Sequence, residues 1–279
     1  MRVSQEIQWL LEEKYHMPFV PLRGISRRGT KEDITRVQKG EHIDYVIGFV
    51  NFLGCKIDLS CKPFIPRPET EYWVRKALQD IRTASFLCAL PHISPAGSTW
   101  APTRLQKSRS THIRCLDLFA GSGCIGVAVL KHVPRAHVDF GEKNKRLLSQ
   151  IRLNVKKNGI AKTRYRIIQT NIFSGIKGRY DYIFANPPYI AESRKDKVQS
   201  SVLKHEPREA LFAGKYGLDI IQPFLRQAKD FLVEGGVVYL EFDSFQKQPV
   251  EQHLKKIGYY SWQFLKDQYG KWRSVVIHT

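Results

Sequence analysis

Asn186-Pro187-Pro188-Tyr189 carries the most specific chemistry in this 279-residue chain. The tetrad follows a run of strand-forming residues, 181–185, so it falls where a strand would end. Two successive prolines stiffen the turn and remove backbone donors, leaving carbonyl oxygens free as acceptors. The side-chain oxygen of Asn186 and the carbonyl of Pro187 can then accept the two hydrogens of one NH2 group. Tyr189 can lay its ring on the planar group that bears this nitrogen. Such a clamp acts by positioning and charge placement. It needs no strong base, because a nitrogen that has become cationic sheds its proton afterwards.

A second constellation lies upstream. Asp117-Leu118-Phe119-Ala120-Gly121-Ser122-Gly123 closes one strand and opens a helix. Gly121 and Gly123 lack Cβ atoms, so the backbone there can turn tightly and approach a ligand closely. No Lys-Ser or Lys-Thr pair follows, which excludes a phosphate loop. Glu142 ends the next strand, about 20 residues on, where an acid can accept both hydroxyls of a ribose. Turn and acid together favour an adenosine-containing ligand, with S-adenosylmethionine and a nicotinamide cofactor both still open.

These residues need a scaffold that brings strand ends together. From 113 onward, strands are expected at 113–118, 136–141, 164–169, 181–185, 236–242, 260–265 and 273–278. Helices fit 122–132, 144–157, 217–232 and 246–257. Alternation of this kind implies a mostly parallel sheet with helices on both faces, which defines the 113–279 domain. Upstream, Val3, Ile7, Leu10 and Leu11 fall at helical spacing, with Pro18 and Pro21 ending that helix. A short second helix over 31–38, entered through Thr30, completes a 1–40 region. The 41–82 unit combines a β-hairpin over 45–59, broken by Gly48 and Gly54, with a helix capped by Thr70 that runs through Trp73, Val74, Ala77, Leu78 and Ile81. The 83–112 segment carries Pro91, Pro95 and Pro102 and no acid, and reads as an inserted loop or linker.

Composition narrows the class. No run of about 18 apolar residues is present, so no membrane span is expected, and the N-terminus has no secretory pattern. Five cysteines without a close pair suit reduced structural residues in a cytoplasmic protein, with no metal site. The formal charge is +19, and residues 143–180 hold eleven Lys or Arg and no Asp or Glu. Such a patch attracts RNA, DNA, a ribosome or an acidic protein, or is simply a solvated face.

Further blocks carry a family likeness: Phe64-Ile65-Pro66-Arg67-Pro68-Glu69-Thr70-Glu71, then Glu206-Pro207-Arg208-Glu209-Ala210-Leu211 followed by Gly217-Leu218-Asp219, with the hairpin at 40–54 ahead of both. With the Asn186 tetrad in the same order, the chain resembles the HemK-type release-factor glutamine methyltransferases from about residue 39 to its end, the 83–112 segment excepted. The resemblance implies an α/β fold: a Rossmann-like, seven-stranded class I methyltransferase sheet, with a short helical N-terminal region and a β-hairpin linker. It implies S-adenosylmethionine as cofactor, and methyl transfer to the glutamine amide in the Gly-Gly-Gln loop of a class I peptide chain release factor; separately, a monomer is expected. By position, Phe119, Ala120, Gly121, Ser122 and Gly123 would line the methionine end, Glu142 the ribose, and Asn171 with Ile172 the adenine. Asn186, Pro187, Pro188 and Tyr189 would hold the glutamine, with Asn186 also facing the cofactor. Arg67 and Glu69 would brace the site beside the substrate, or form a buried Arg–Glu pair at a junction. Three departures stand out. Asn171 replaces an Asp, Phe119-Ala120 replaces a smaller pair, and only some 40 residues precede the hairpin, fewer than the family's helical N-terminal domain. Two alternatives carry over: an adenine-amino methyltransferase acting on DNA or RNA, and a non-catalytic RNA- or ribosome-binding protein of the same fold.

Overall fold

A computed structural model describes residues 2–16, 28–89 and 112–279. At the N-terminal side, helices α1 (Arg2–Tyr15), α2 (Arg28–Gln38) and α3 (Ile43–Ile47) share one small core. Ile7, Leu10 and Leu11 of α1 meet Val37, Ile43 and Val46 there, the stripe expected from helical spacing. Pro18 and Pro21 lie outside the described residues. α2 begins three residues before the expected 31, so Thr30 lies within its first turn, fully buried.

The hairpin is shorter than its apolar run. β1 (Phe49–Phe52) and β2 (Cys55–Asp58) pair antiparallel, while 43–47 coils into α3 instead. Gly48 ends α3 at φ +92°, returning its N–H to the Asp44 carbonyl, which fixes where the strand can begin. Leu53 and Gly54 both take positive φ, as a two-residue hairpin turn requires.

α4 (Pro68–Ala89) starts on a proline, whose missing N–H costs a first turn nothing. The helix runs seven residues past the expected edge of the insert, so 83–89 is helical and only 90–111 falls outside the described residues. Trp73, Val74, Ala77, Leu78 and Ile81 face the core, as their spacing requires.

The sheet is β3 (Ile113–Leu118), β4 (Ala136–Glu142), β5 (Tyr165–Gln169), β6 (Tyr180–Ala185), β7 (Leu232–Glu241), β8 (Ser261–Lys266) and β9 (Trp272–His278), in the order β5-β4-β3-β6-β7-β9-β8. The first five are parallel, and β9 slots antiparallel between β7 and β8. All seven expected strands are present, β7 beginning four residues earlier than read. Helices α5 (Cys124–His132) and α6 (Lys145–Lys157) cover one face with α4 and the hairpin, and α8 (Ile221–Ala228) and α9 (Lys247–Lys256) cover the other. The expected 217–232 helix is reduced to α8 and a 3-10 turn over 229–231. Between β6 and α8, a flap that the sequence left unassigned contains α7 (Ser200–His205) and two 3-10 turns. Strand order reverses on either side of β3, which opens a crevice over the carboxyl ends of β3, β4 and β6. Among the described residues no helix is long and apolar enough to cross a membrane.

Candidate active site

A cavity of about 490 Å³ occupies that crevice. Phe119, Ala120, Gly121 and Ser122 of the glycine turn, Glu142, Asn171, Ile172 and the whole Asn186-Pro187-Pro188-Tyr189 tetrad line it, joined by Phe64, Pro66 and Thr70 from the approach to α4, whereas Gly123 does not line it and caps α5. Five stretches far apart in sequence therefore meet at one switch point.

The turn is built on unusual backbone. Phe119 (φ +63°), Gly121 (φ +54°) and Gly123 (φ +77°) all lie in the left-handed region, and at Phe119 this is costly for a bulky residue. Its ring is held edge-on against Phe224, 6.0 Å between centroids, which helps fix that conformation. Below the turn, Asp117 is 1% exposed and accepts the Gly126 N–H at 2.8 Å. Burial pushes its carboxyl up to about 8, and the nearby Glu142 charge adds to the rise.

Glu142 is tied in place by two backbone donors. Gly121 N–H reaches one carboxylate oxygen at 2.9 Å and Asn144 N–H the other at 2.8 Å. Each oxygen keeps a lone pair for a further donor, so two vicinal hydroxyls fit the acceptor set. Asn171 is exposed at the cavity edge, and Ile172 (φ +52°) packs on the second core while lining the cavity. This combination of a rigid carboxylate, close backbone and an apolar wall fits the ribose and adenine of S-adenosylmethionine.

The tetrad is anchored from behind. Asn186 Nδ2 donates to Thr70 Oγ1 at 3.3 Å. Thr70 donates in turn to Glu241 Oε2 at 2.7 Å, as does Trp73 Nε1 at the same distance. Tyr189 donates its hydroxyl to Glu241 Oε1 at 2.9 Å, and Gln246 Nε2 donates to the Tyr189 carbonyl at 2.9 Å. Glu241 is 1% exposed and does not line the cavity. Burial raises its carboxyl, opposed by the Trp73 and Thr70 hydrogen bonds, and burial also raises the Tyr189 hydroxyl far above its ordinary range. Thr70 is thus not the helix cap read from the sequence. It lies in the first turn of α4 and spends its hydroxyl on the clamp.

Arg67 and Glu69 do not line the cavity. The Arg67 guanidinium pairs with Glu206 of the flap, whose side chain is fully buried, and lies 4.7 Å over the Phe64 ring. Ile65 N–H also donates to Glu206, at 3.3 Å. An Arg–Glu pair does exist, but its acid is 139 residues away rather than two. It ties the flap to the loop before α4, while Asn144 Nδ2 reaches Glu209 of the flap at 3.2 Å from the other side. Sequence reading missed Thr70 as an anchor, together with Trp73, Gln246 and Glu241. Only Glu241 left a signal, as a lone acid closing the apolar run of β7.

A family described as "Methyltransferase small domain" matches residues 96–214. A release factor glutamine methyltransferase of Streptococcus pneumoniae is 30% identical over 84% of this chain and 73% of its own length. A 4-amino-L-phenylalanine/4-methylamino-L-phenylalanine methyltransferase of Streptomyces pristinaespiralis is 30% identical over 85% of this chain and 70% of that protein. Among solved structures, the 16S rRNA N2 G1207 methyltransferase of T. thermophilus, in complex with AdoMet and guanosine, is similar in fold. Its TM-score is 0.54 at 16% identity, over 83% of this chain and 49% of that one.

Proposed function

This chain belongs to the release-factor glutamine methyltransferase family, and from that premise we propose that it methylates the side-chain amide of the glutamine in the Gly-Gly-Gln loop of a class I release factor. S-adenosylmethionine, when bound, supplies an electrophilic methyl group on its sulfonium. Phe119, Ala120, Gly121, Ser122 and Gly123 receive its methionine end, Glu142 accepts the ribose hydroxyls, and Asn171 with Ile172 flanks the adenine. Asn186 Oδ1 and the Pro187 carbonyl accept the two amide hydrogens, and the Pro188–Tyr189 wall confines the amide plane. Held so, the nitrogen would face the methyl group that the sulfonium supplies, and the amide would give up one proton after accepting it. The clamp contains no base for that proton, since Tyr189 stays protonated and Glu241 does not line the cavity. Arg67 and Glu69 act as braces behind the substrate.

The observation that carries this reading is the convergence of the tetrad and the Glu142 carboxylate on one cavity. Mass spectrometry of a co-expressed release factor tests it. One added methyl on the Gly-Gly-Gln glutamine is expected, and an unmodified loop beside a protein that binds S-adenosylmethionine would sink the substrate assignment. Asn186→Ala is expected to abolish the mark while leaving cofactor binding, read by calorimetry, largely in place.

The basic face supports a second reading, an adenine-amino methyltransferase on nucleic acid. Lys145, Arg146, Arg152 and Lys156 of α6 are all exposed. The same face is the contact we assign to a ribosome or nucleic acid if the protein works beside them. Label from the cofactor appearing in nucleic acid rather than in release factor favours the second reading. We take the protein to act as a cytoplasmic monomer.

A further inference from the structure

We propose that Thr70, Trp73 and Glu241 form a polarity lock that forces Asn186 to present its oxygen, not its nitrogen, to the substrate, and so makes the clamp select an amide over a carboxylate. The inference rests on the assignment of Asn186 as the substrate clamp.

A side-chain amide is nearly symmetric in shape but opposite in chemistry at its two ends. A clamp built on Asn186 works only if the amide cannot turn over. Trp73 decides the matter. Its indole N–H can only donate, and it is aimed at Glu241 Oε2 at 2.7 Å. The Tyr189 hydroxyl donates to the other oxygen, Oε1, at 2.9 Å, so donors hold both oxygens of the Glu241 carboxylate as acceptors. The Thr70 hydroxyl, 2.7 Å from the same Oε2, must give its proton there. With that proton spent, Thr70 Oγ1 offers Asn186 lone pairs alone. The 3.3 Å contact between Asn186 Nδ2 and Thr70 Oγ1 then has one allowed polarity, with Asn186 as donor. Turning the amide over would bring Oδ1 against an oxygen with no hydrogen to share, inside a part-buried site where an unmet polar group is costly.

The second arm of the clamp has fixed polarity for a simpler reason, since Pro187 has no N–H. Both arms therefore accept. A glutamine amide brings two hydrogens and satisfies both. A glutamate carboxylate brings none and faces two oxygens. Buried sites that demand a donor reject the analogue lacking it far more strongly than a methylene-sized difference in shape. Trp73, Thr70 and Glu241 are positioning residues in this scheme, acting through Asn186.

The test compares wild type with Thr70→Val, Thr70→Ser and Glu241→Gln, each first checked for S-adenosylmethionine binding by calorimetry to establish that the fold and cofactor site survive. Two probes are used: a release factor with its Gly-Gly-Gln loop, and the same protein with Glu in place of that Gln. Thr70→Val frees the Asn186 amide to turn over. Its KM for the glutamine protein is expected to rise about tenfold, the loss of roughly one hydrogen bond. Competition by the glutamate protein is expected to strengthen by a similar factor, because Asn186 can now offer its NH2 to a carboxylate. Thr70→Ser keeps the hydroxyl and is expected to restore both values. Glu241→Gln must still turn an oxygen toward Trp73, so the glutamine-over-glutamate preference is expected to persist.

A gain in glutamate binding is something a purely structural defect does not produce. If Thr70→Val weakens both probes equally, or Glu241→Gln loses the preference, the lock is wrong. A readout that needs no substrate separates this from failure of the substrate assignment. In 15N-labelled protein, exchange of the Asn186 side-chain amide protons is expected to be slow in wild type and Thr70→Ser and faster in Thr70→Val. Equal exchange in all three overturns the lock even if methylation proceeds. Slow exchange in a protein that leaves the release factor unmodified keeps the lock and discards the glutamine substrate.

Discussion

Asp117 and Gly126 show how single positions support the glycine turn. The folded-state value of Asp117, about 8, lies above the carboxyl's ordinary 3.8, so its folded form holds a proton that the unfolded chain gives up. Its contribution to stability is complete below about pH 4 and declines as pH rises through 8. Between those limits, the difference in unfolding free energy between wild type and Asp117→Asn is expected to shift against wild type as pH rises. Denaturant titrations at pH 5 and pH 8 measure this, and a difference that stays flat between them rules out the buried proton. Gly126 sets two effects against each other. Alanine in a helix interior gains up to about 1 kcal/mol over glycine. A Cβ at Gly126, however, would stand 2.3 Å from Phe140 Cε1 and 2.9 Å from Val138 Cγ1, both fixed core atoms. Overpacking of this kind costs about 1–3 kcal/mol, so Gly126→Ala is expected to destabilise the protein on balance. A raised thermal midpoint would show that β4 yields instead.

Among the elements, the flap and the hairpin are each held by polar ties to distant segments, the flap to the loop before α4 and the hairpin to α6. The flap depends on Glu206, whose buried carboxylate has Arg67 as its ion-pair partner and the Ile65 N–H as a second donor. Removing one member of a buried pair leaves an uncompensated charge, at a cost of about 3–5 kcal/mol. That figure is an upper bound here, since Arg67 is itself partly exposed. Arg67→Ala is expected to loosen 190–213, seen as faster backbone hydrogen exchange there, with smaller changes in β3 and β4. Uniform protection across both regions would mean that the pair is not what holds the flap. The hairpin is tied through α6 instead. Asn154 Oδ1 accepts the Asp58 N–H at 2.8 Å, and Asn154 Nδ2 donates to the Ser122 carbonyl at 2.8 Å and to the Asp58 carbonyl at 3.2 Å. One amide thereby sets the distance between β2, α6 and the glycine turn.

Across the whole molecule, 45 Lys and Arg outnumber 26 Asp and Glu, so internal ion pairing leaves a net charge of +19. Arg166 is taken up by Asp139, Lys157 by Asp58, and Arg164 by the carbonyls of Val133 and Ala136. The outward face of α6 keeps Lys145, Arg152 and Lys156 exposed. Binding to a polyanion such as RNA is expected to weaken steeply with salt, and charge reversal of these three lysine and arginine positions should reduce the log–log slope by about 2–3. An unchanged slope would place the polyanion contact elsewhere. Release-factor methylation should respond far less to the same substitutions, since the cavity is lined by other residues apart from the N-terminal approach to α6.

The seven strands, their alternation with helices, the glycine turn, Glu142 and the tetrad were all legible in the chain, because each depends on local spacing. Period-2 and period-3.6 apolar patterns are properties of neighbouring residues, and a Pro-Pro turn or a Gly without Cβ means the same in most contexts. What surrounds the clamp was not legible. Thr70 looked like a helix cap because a threonine near a helix start usually is one, and only the arrival of β7 gave its hydroxyl a different acceptor, 171 residues away. Arg67 and Glu69 looked paired because they are neighbours, yet the buried acid comes from the flap. The flap itself has no periodicity to read, since its short turns are held by distant partners rather than by a stripe of their own. The sequence by itself thus determined which atoms could grip an NH2 group. The tertiary structure decided which way Asn186 faces, because a hydrogen bond's direction is set by what lies on its far side.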